Sequence, residues 1–306
     1  MNIEINRINS NIEHNTKEYI KSVNEAYIYQ LKKIADNIAE TKETKPVILL
    51  SGPSGSGKTT TALMLADILG RLGCPTHTLS MDNYFKSLTD DERKLSVLGK
   101  LDLESPDRVD KELLNEQIES ISKCREVEIP LYNFADSKRD GIKMRFQRKE
   151  GELVIFEGIH ALNPAVITFS EEKLNNIYVS VRTRITCGNI ILHPSKIRLM
   201  RRMIRDRNFR KRSLRETMNM FHSVESGENK YIMPYKHRSD YDIDTFMAYE
   251  MNVYRDELLS ELLEMSDVPE LADVTEVLEN LDSLDRNYIT SDSLICEFIG
   301  GGMFEY

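Results

Sequence analysis

The stretch Gly52-Pro53-Ser54-Gly55-Ser56-Gly57-Lys58-Thr59 has the spacing G-x-x-x-x-G-K-[ST], the Walker A pattern. The chemistry open to such a run is holding phosphate. Glycines let the backbone turn tightly and aim N–H groups at phosphate oxygens, and a helix starting straight after adds the positive end of its dipole. Lys58 is expected to reach a nucleotide's β- and γ-phosphates, and the Thr59 hydroxyl to hold magnesium. Gly52, Ser54, Gly55, Ser56, Gly57, Lys58, Thr59 and Thr60 are therefore the candidate nucleotide contacts.

Phosphate binding leaves the reaction open, so other residues must decide it. Asp82, in Ser80-Met81-Asp82-Asn83-Tyr84-Phe85-Lys86, follows a predicted strand at the edge where an open α/β sheet places its ligands. A carboxylate there could accept the proton of an attacking hydroxyl, or simply cap a helix or turn. Glu157 ends the apolar run Leu153-Val154-Ile155-Phe156 just before Gly158. A magnesium-organising acid would sit there, and so could a solvated cap. Arg198, Arg201, Arg202 and Arg205 share one helical face, with Arg207, Arg210 and Arg212 beyond. Arginines closing over a transferring phosphoryl group would do so as a lid. The rival readings are a solvated face paired with the acidic C-terminal segment, or an RNA contact.

These residues need a scaffold that brings them to one edge. Ile20, Val23, Tyr27, Leu31, Ile34 and Ile38 fall on one stripe, which predicts an amphipathic helix within 17–40, packed on the core or on a partner subunit. After the polar linker 41–45, Val47-Ile48-Leu49-Leu50 reads as a buried strand, Thr59 to Leu72 as a helix and Thr76 to Met81 as a second strand. That order suggests a parallel sheet with right-handed crossovers. Further strands are expected at Leu153–Phe156 and Asn176–Val181, giving at least four. The pattern from Ser195 to Met220 is helical and basic, while Ser266 to Asp285 is acidic with scattered leucines. No internal repeat or low-complexity tract stands out.

Composition bounds the rest. With 306 residues, 40% hydrophobic and 30% charged, the chain fits a globular protein of one main domain with appendages. A formal net charge of −9 argues against a general nucleic-acid binder. Cys74, Cys124, Cys187 and Cys296 lie far apart, with no C-x-x-C pair, so unpaired thiols in a reducing compartment are expected. The first residues lack a basic start and apolar run, and no stretch reaches membrane-spanning length, so the expected location is the cytoplasm, without a membrane partner. A homo-oligomer remains open.

Together these motifs resemble the uridine kinase and phosphoribulokinase family of P-loop kinases, from about residue 46 to 264. Asp82-Asn83-Tyr84-Phe85 is similar to the family's catalytic-aspartate segment, Pro130-Leu131-Tyr132-Asn133-Phe134 to its P-x-Y-D-F segment, and Phe156-Glu157-Gly158-Ile159 to its F-E-G-I strand end. Leu199 to Asp206, continuing to Arg210-Lys211-Arg212, resembles its lid, L-x-R-R-x-x-R-D followed by R-G-R. The resemblance implies an α/β P-loop NTPase three-layer sandwich with a parallel sheet, an arginine-rich helical lid at about 188–230 and flanking helices. The implied division is an N-terminal helix and linker over 1–45, a kinase domain over 46–265 and an acidic tail over 266–306 packed on it.

It further implies ATP and Mg2+, with Asp82 as general base, Lys58 and Arg205 as catalytic partners, and Thr59 with Glu157 on the metal. Arg202, Arg210 and Arg212 would lie near phosphates and substrate, and Tyr132 and Phe134 would meet a base. Glu104 stands where uridine kinases hold the ribose hydroxyls, and Arg139 is counted with these substrate contacts. The implied reaction is phosphorylation of a nucleoside's 5′-hydroxyl; the alternatives are another metabolite alcohol, such as pantothenate, glycerate or a sugar phosphate, and an ATP-binding regulator. Ser293-Leu294-Ile295-Cys296-Glu297-Phe298-Ile299-Gly300-Gly301 resembles the terminus of a bacterial nucleoside-kinase-like branch, whose longer members carry an N-terminal domain similar to one in threonyl-tRNA synthetases, expected to be absent here. Departures lie on the base-reading side: Asn133 for aspartate, Ser137 for a histidine and Glu104 for the shorter aspartate, with Lys211 in place of the lid glycine.

Overall fold

The computed structural model describes residues 1–97, 101–134 and 136–304; Leu98, Gly99, Lys100, Ala135, Glu305 and Tyr306 lie outside the described residues. Asn2–Glu4 (β1) runs straight into Ile5–Thr41 (α1). The stripe expected over 17–40 is buried at Ile20, Tyr27, Leu31, Ile34 and Ile38, but the helix starts earlier and also buries Ile5, Ile8 and Ile12. It kinks at Asn15, where φ is −160° and ψ is 79°. Asparagine competes for its own backbone groups, which is why this polar stretch reads poorly as helix.

Val47–Ser51 (β2), buried throughout, leads through the glycine loop into Lys58–Arg71 (α2), and Thr76–Ser80 (β3) returns beside it. A short 3₁₀ turn at Met81–Tyr84 follows, then Asp90–Val97 (α3) and Lys111–Ser122 (α4), the latter capped by Asp110 accepting from the Leu113 N–H. Val127–Asn133 (β4) and Lys138–Phe146 (β5) pair as an antiparallel hairpin. Leu153–Glu157 (β6) and Leu174–Ser180 (β7) are buried at every position, and Arg184–Cys187 (β8) and Ile190–Leu192 (β9) form a small sheet with β1.

The basic run divides into two helices, Pro194–Arg210 (α5) and Leu214–Tyr231 (α6), instead of continuing from Ser195 to Met220. Lys211 ends α5 in the left-handed region at φ 54°, and Ser213 with Glu216 forms a capping box that starts α6. Tyr241–Asp244 (β10), Glu250–Glu264 (α7), Ala272–Glu279 (α8) and the one-turn Cys296–Ile299 (α9) complete the chain.

The main sheet has the order β10-β7-β2-β6-β3, and every neighbouring pair is parallel. Strand alternation separates two cores: Ile48, Leu50, Ile155, Ile177 and Val179 face one, while Val47, Leu49, Phe156, Leu174 and Tyr178 face the other. The first core extends over α1, α2, α5 and α7 to Leu278, Leu284, Leu294 and Phe298. The second takes in α4 and the start of the hairpin. The result is the three-layer α/β sandwich. Because β2 lies between β6 and β7, the glycine loop leaves the sheet where the strand order reverses, the place an open α/β sheet offers a ligand. Among the described residues no helix is long and apolar enough to cross a membrane.

Candidate active site

The glycine loop is shaped by positive backbone angles, φ 76° at Gly55 and 82° at Gly57, and by close neighbours. A Cβ on Gly52 would come within 2.1 Å of the Val179 carbonyl oxygen, so only glycine lets the loop hug β7. Lys58 folds back over the loop, its Nζ donating to the Pro53 carbonyl at 3.2 Å. Ser56 Oγ and Arg202 Nε are buried without a hydrogen-bond partner. Two orphaned polar atoms beside a helix start suit an anionic ligand, because burial leaves their hydrogen-bonding capacity unused.

Helix α5 braces this loop. Arg198 donates to the Ser54 carbonyl at 3.1 Å, Arg201 to the Gly55 carbonyl at 3.2 Å, and Arg202 to the Ser54 hydroxyl. Arg201 is wholly buried and takes Glu250 through Nε and Nη2 at 2.7 and 2.9 Å. Burial disfavours its charge, yet Glu250 and other anionic neighbours hold its pKa above the ordinary value. The arginines of the shared face thus divide: Arg198 and Arg201 fix the loop from behind. Arg205, Arg210 and Arg212 instead gather round buried Asp206 at 3.0, 3.3 and 3.6 Å. Burial works against the Asp206 charge, but Arg205, Arg202 and Arg210 outweigh it and depress its pKa. One carboxylate among four guanidiniums leaves net positive charge, and crowding shows in Arg202, lowered to about 10 by burial and then by Arg205.

Two acids stand at the strand ends. Asp82 lies in the turn after β3, where its N–H meets the Ser80 hydroxyl at 3.3 Å, and Glu157 ends β6 in register with Ser80. A Cβ on Gly158 would fall 2.7 Å from Met81 Cβ, which is how the two strand ends come together. Burial pushes both carboxyls up, Glu157 to about 7 with Asp82 as its next cause, while Lys58 opposes both shifts. Arg210 and Arg205 also act on Asp82, so the α5 arginines converge on this acid across the cleft.

On the acceptor side, Phe85, Tyr132 and Phe134 form an edge-to-face cluster with ring centroids 5.8, 6.5 and 5.1 Å apart, and Phe134 is 61% exposed. The Asn83 side chain accepts from the Tyr132 N–H at 3.2 Å, tying this aromatic shelf to the turn bearing Asp82. Burial raises the Glu104 pKa against Arg202 and Lys58, so Glu104 faces the phosphate side. Tyr231 on α6 donates to Asp102 at 2.8 Å, and Arg198 pairs with Glu228, so α6 closes on the Asp102–Ser105 loop.

Arg139 departs from expectation. Its Nε, Nη1 and Nη2 donate to Phe85 O, Asp110 and Tyr84 O at 3.0, 3.0 and 2.9 Å. With those donors engaged, it fastens the Asp82–Phe85 turn rather than offering a contact to substrate. Thr60 departs too: its N–H and hydroxyl donate to Glu297 at 3.1 and 2.7 Å. The sequence motifs give Glu297, Asp206 and His160 no role of their own. His160 is 2% exposed beside Tyr231, and neither ring nitrogen has a hydrogen-bond partner; the Glu104 backbone faces it short of bonding geometry. Burial lowers its pKa to about 4. Its place directly after Phe156-Glu157-Gly158-Ile159 was the available signal.

This arrangement can bind an anion at a helix start, set two carboxyls beside it and close arginines over both. Residues 47–251 match the phosphoribulokinase / uridine kinase family model. A uridine kinase of Borrelia garinii subsp. bavariensis is 30% identical over 196 residues, 63% of this chain and 84% of its own. One of Lactobacillus johnsonii is 29% identical over 200 residues, 64% of this chain and 85% of its own. The solved YGR205w protein superposes with a TM-score of 0.50 at 18% identity, over 72% of this chain and 94% of its own, a likeness of fold. The chain belongs to the phosphoribulokinase / uridine kinase family, and is a P-loop phosphotransferase acting on an alcohol group of a small metabolite.

Proposed function

We propose that this protein transfers the γ-phosphate of ATP to the 5′-hydroxyl of a nucleoside, in the cytoplasm. The observation that carries the reading is the meeting of Asp82, Glu157, Lys58 and the α5 arginines at the sheet edge, next to an exposed aromatic shelf. Asp82 takes the proton of the acceptor hydroxyl as that oxygen bonds to the γ-phosphorus, and the bond to the β–γ bridging oxygen breaks. Lys58, Arg202 and Arg205 stabilise the charge that builds on the transferring group and on the departing ADP. Ser54, Ser56 and the loop amides of Gly52, Gly55 and Gly57 cradle the phosphates, while Arg210 and Arg212 close from the lid.

The Thr59 hydroxyl and Glu157 are the groups that would hold Mg2+, which when bound neutralises phosphate charge. Both donors are oxygens, the ligand type this hard cation prefers. Glu104 is assigned to the acceptor's hydroxyls, and Tyr132 with Phe134 to its base face. Similarity to the uridine kinases supports a nucleoside. Asn133 and Ser137 at base-reading positions favour a second reading, in which another small metabolite alcohol is the acceptor.

ADP release measured with MgATP against ribonucleosides, deoxynucleosides, pantothenate, glycerate and sugar phosphates separates these. Stimulation by a nucleoside supports the first reading and by another alcohol the second. No stimulation by any acceptor would leave an ATP-binding regulator as the better account.

A further inference from the structure

The first N–H groups of α2 are the donors a P-loop turns on nucleotide phosphate, and one of them is already engaged by an anion of the protein itself. Thr60 N–H and Thr60 Oγ1 both donate to Glu297 Oε2, at 3.1 and 2.7 Å. Glu297 reaches them from the far end of the chain, on the one-turn helix α9. Its neighbours seat the segment against the loop. Leu294 lies against Gly57, so that a Cβ there would stand 3.1 Å from Leu294 Cδ1. The Phe298 ring lies under the Arg201 guanidinium at 5.1 Å, and Ser293 Oγ shares a hydrogen bond with Tyr249 OH at 2.6 Å. Leu294, Ile295 and Phe298 are fully buried.

A carboxylate and a phosphate cannot occupy the same two donors, and their like charges would repel at that distance in a partly dry site. We infer that Glu297 is an intramolecular competitor for the phosphate seat at Thr60, the seat of the phosphate nearest the nucleoside, and that every nucleotide must displace its side chain to bind. The inference rests on the nucleotide-binding reading above. The buried apolar neighbours keep the segment in place, so the displaced part is the carboxylate alone, by a change of rotamer. Apparent nucleotide affinity is then the intrinsic affinity reduced by the fraction of molecules in which Glu297 has let go. The effect belongs to phosphate: ATP, ADP and AMP feel it alike, and adenosine does not.

Calorimetric titration of MgATP, ADP, AMP and adenosine into wild type, Glu297→Gln and Glu297→Ala tests this. The glutamine keeps the shape and an acceptor oxygen while removing the charge. Both variants are expected to bind the three phosphorylated ligands about tenfold more tightly, with adenosine unchanged and the thermal midpoint of the glutamine variant close to wild type. Three results would overturn the inference: affinity for the phosphorylated ligands that is unchanged or weakened in folded Glu297→Gln, tightening that includes adenosine equally, or tightening confined to ATP. If wild type and variants alike bind none of the four, the nucleotide reading fails and takes this inference with it.

Discussion

Glu104 and Gly227 touch backbone to side chain: a Cβ added to Gly227 would stand 2.3 Å from Glu104 Cβ and 2.7 Å from its Cγ. The glycine on α6 is what lets the Asp102–Ser105 loop tuck beneath the lid. Gly227→Ala must therefore push Glu104 away from α6 and out of its present position. Overpacking of this kind costs about 1–3 kcal/mol, so the acceptor KM is expected to rise by about tenfold or more while ATP affinity holds. Steady-state kinetics in each substrate reads the difference; equal losses for both would mean the whole cleft had shifted.

Arg201 and Glu250 form an ion pair with no solvent exposure on either side chain. Removing one partner strands the other charge in a dry site, which costs about 3–5 kcal/mol. Glu250→Ala is expected to lose that much stability in urea titration. Its nucleotide affinity should fall as well, since Arg201 also holds the Gly55 carbonyl. A loss below 1 kcal/mol would place the pair in a wetter setting.

The raised carboxyls give a pH dependence of definite sign. Glu157 stands at about 7 in the fold, above the ordinary carboxylate value, and Asp82 and Glu104 are raised by burial too. Between the unfolded and folded values the native state binds more protons than the unfolded one, so stability is fully present below the unfolded pKa and falls as pH rises through 7. In the nucleotide- and magnesium-free protein Glu157 thus contributes a fall in stability from pH 5 to 7.5, while buried His160, lowered to about 4, contributes a rise up to the unfolded imidazole value, so the Glu157 part is read as wild type minus Glu157→Gln. A wild-type-minus-variant stability that fails to fall over this window would refute the assignment.

Much of this was written locally in the chain. The glycine loop with its flanking strand and helix is a contiguous signal, and Asp82 and Glu157 declare themselves as acids at the ends of apolar runs. What escaped depends on distance or on short, mixed elements. Strand β10 is Tyr-Asp-Ile-Asp, too brief and polar to stand out, and the β4–β5 hairpin holds Pro130 and a register shift at Pro130/Leu131. The division of the basic run turns on Lys211, which takes a left-handed backbone that glycine adopts more easily. Glu297 meets Thr60 across 237 positions, and no spacing rule reaches that far. Arg139 and Arg201 carried the right charge for a phosphate, but only their partners reveal that their donors are engaged.

The central claim is that Asp82 is the base for phosphoryl transfer to a nucleoside hydroxyl, and its most direct test follows γ-labelled ATP into product with wild type and Asp82→Asn. The account predicts label in a nucleoside 5′-monophosphate, with turnover in the variant reduced by about 10²–10⁴ and ATP affinity retained. Undiminished transfer by Asp82→Asn, or label appearing only as inorganic phosphate, would contradict it.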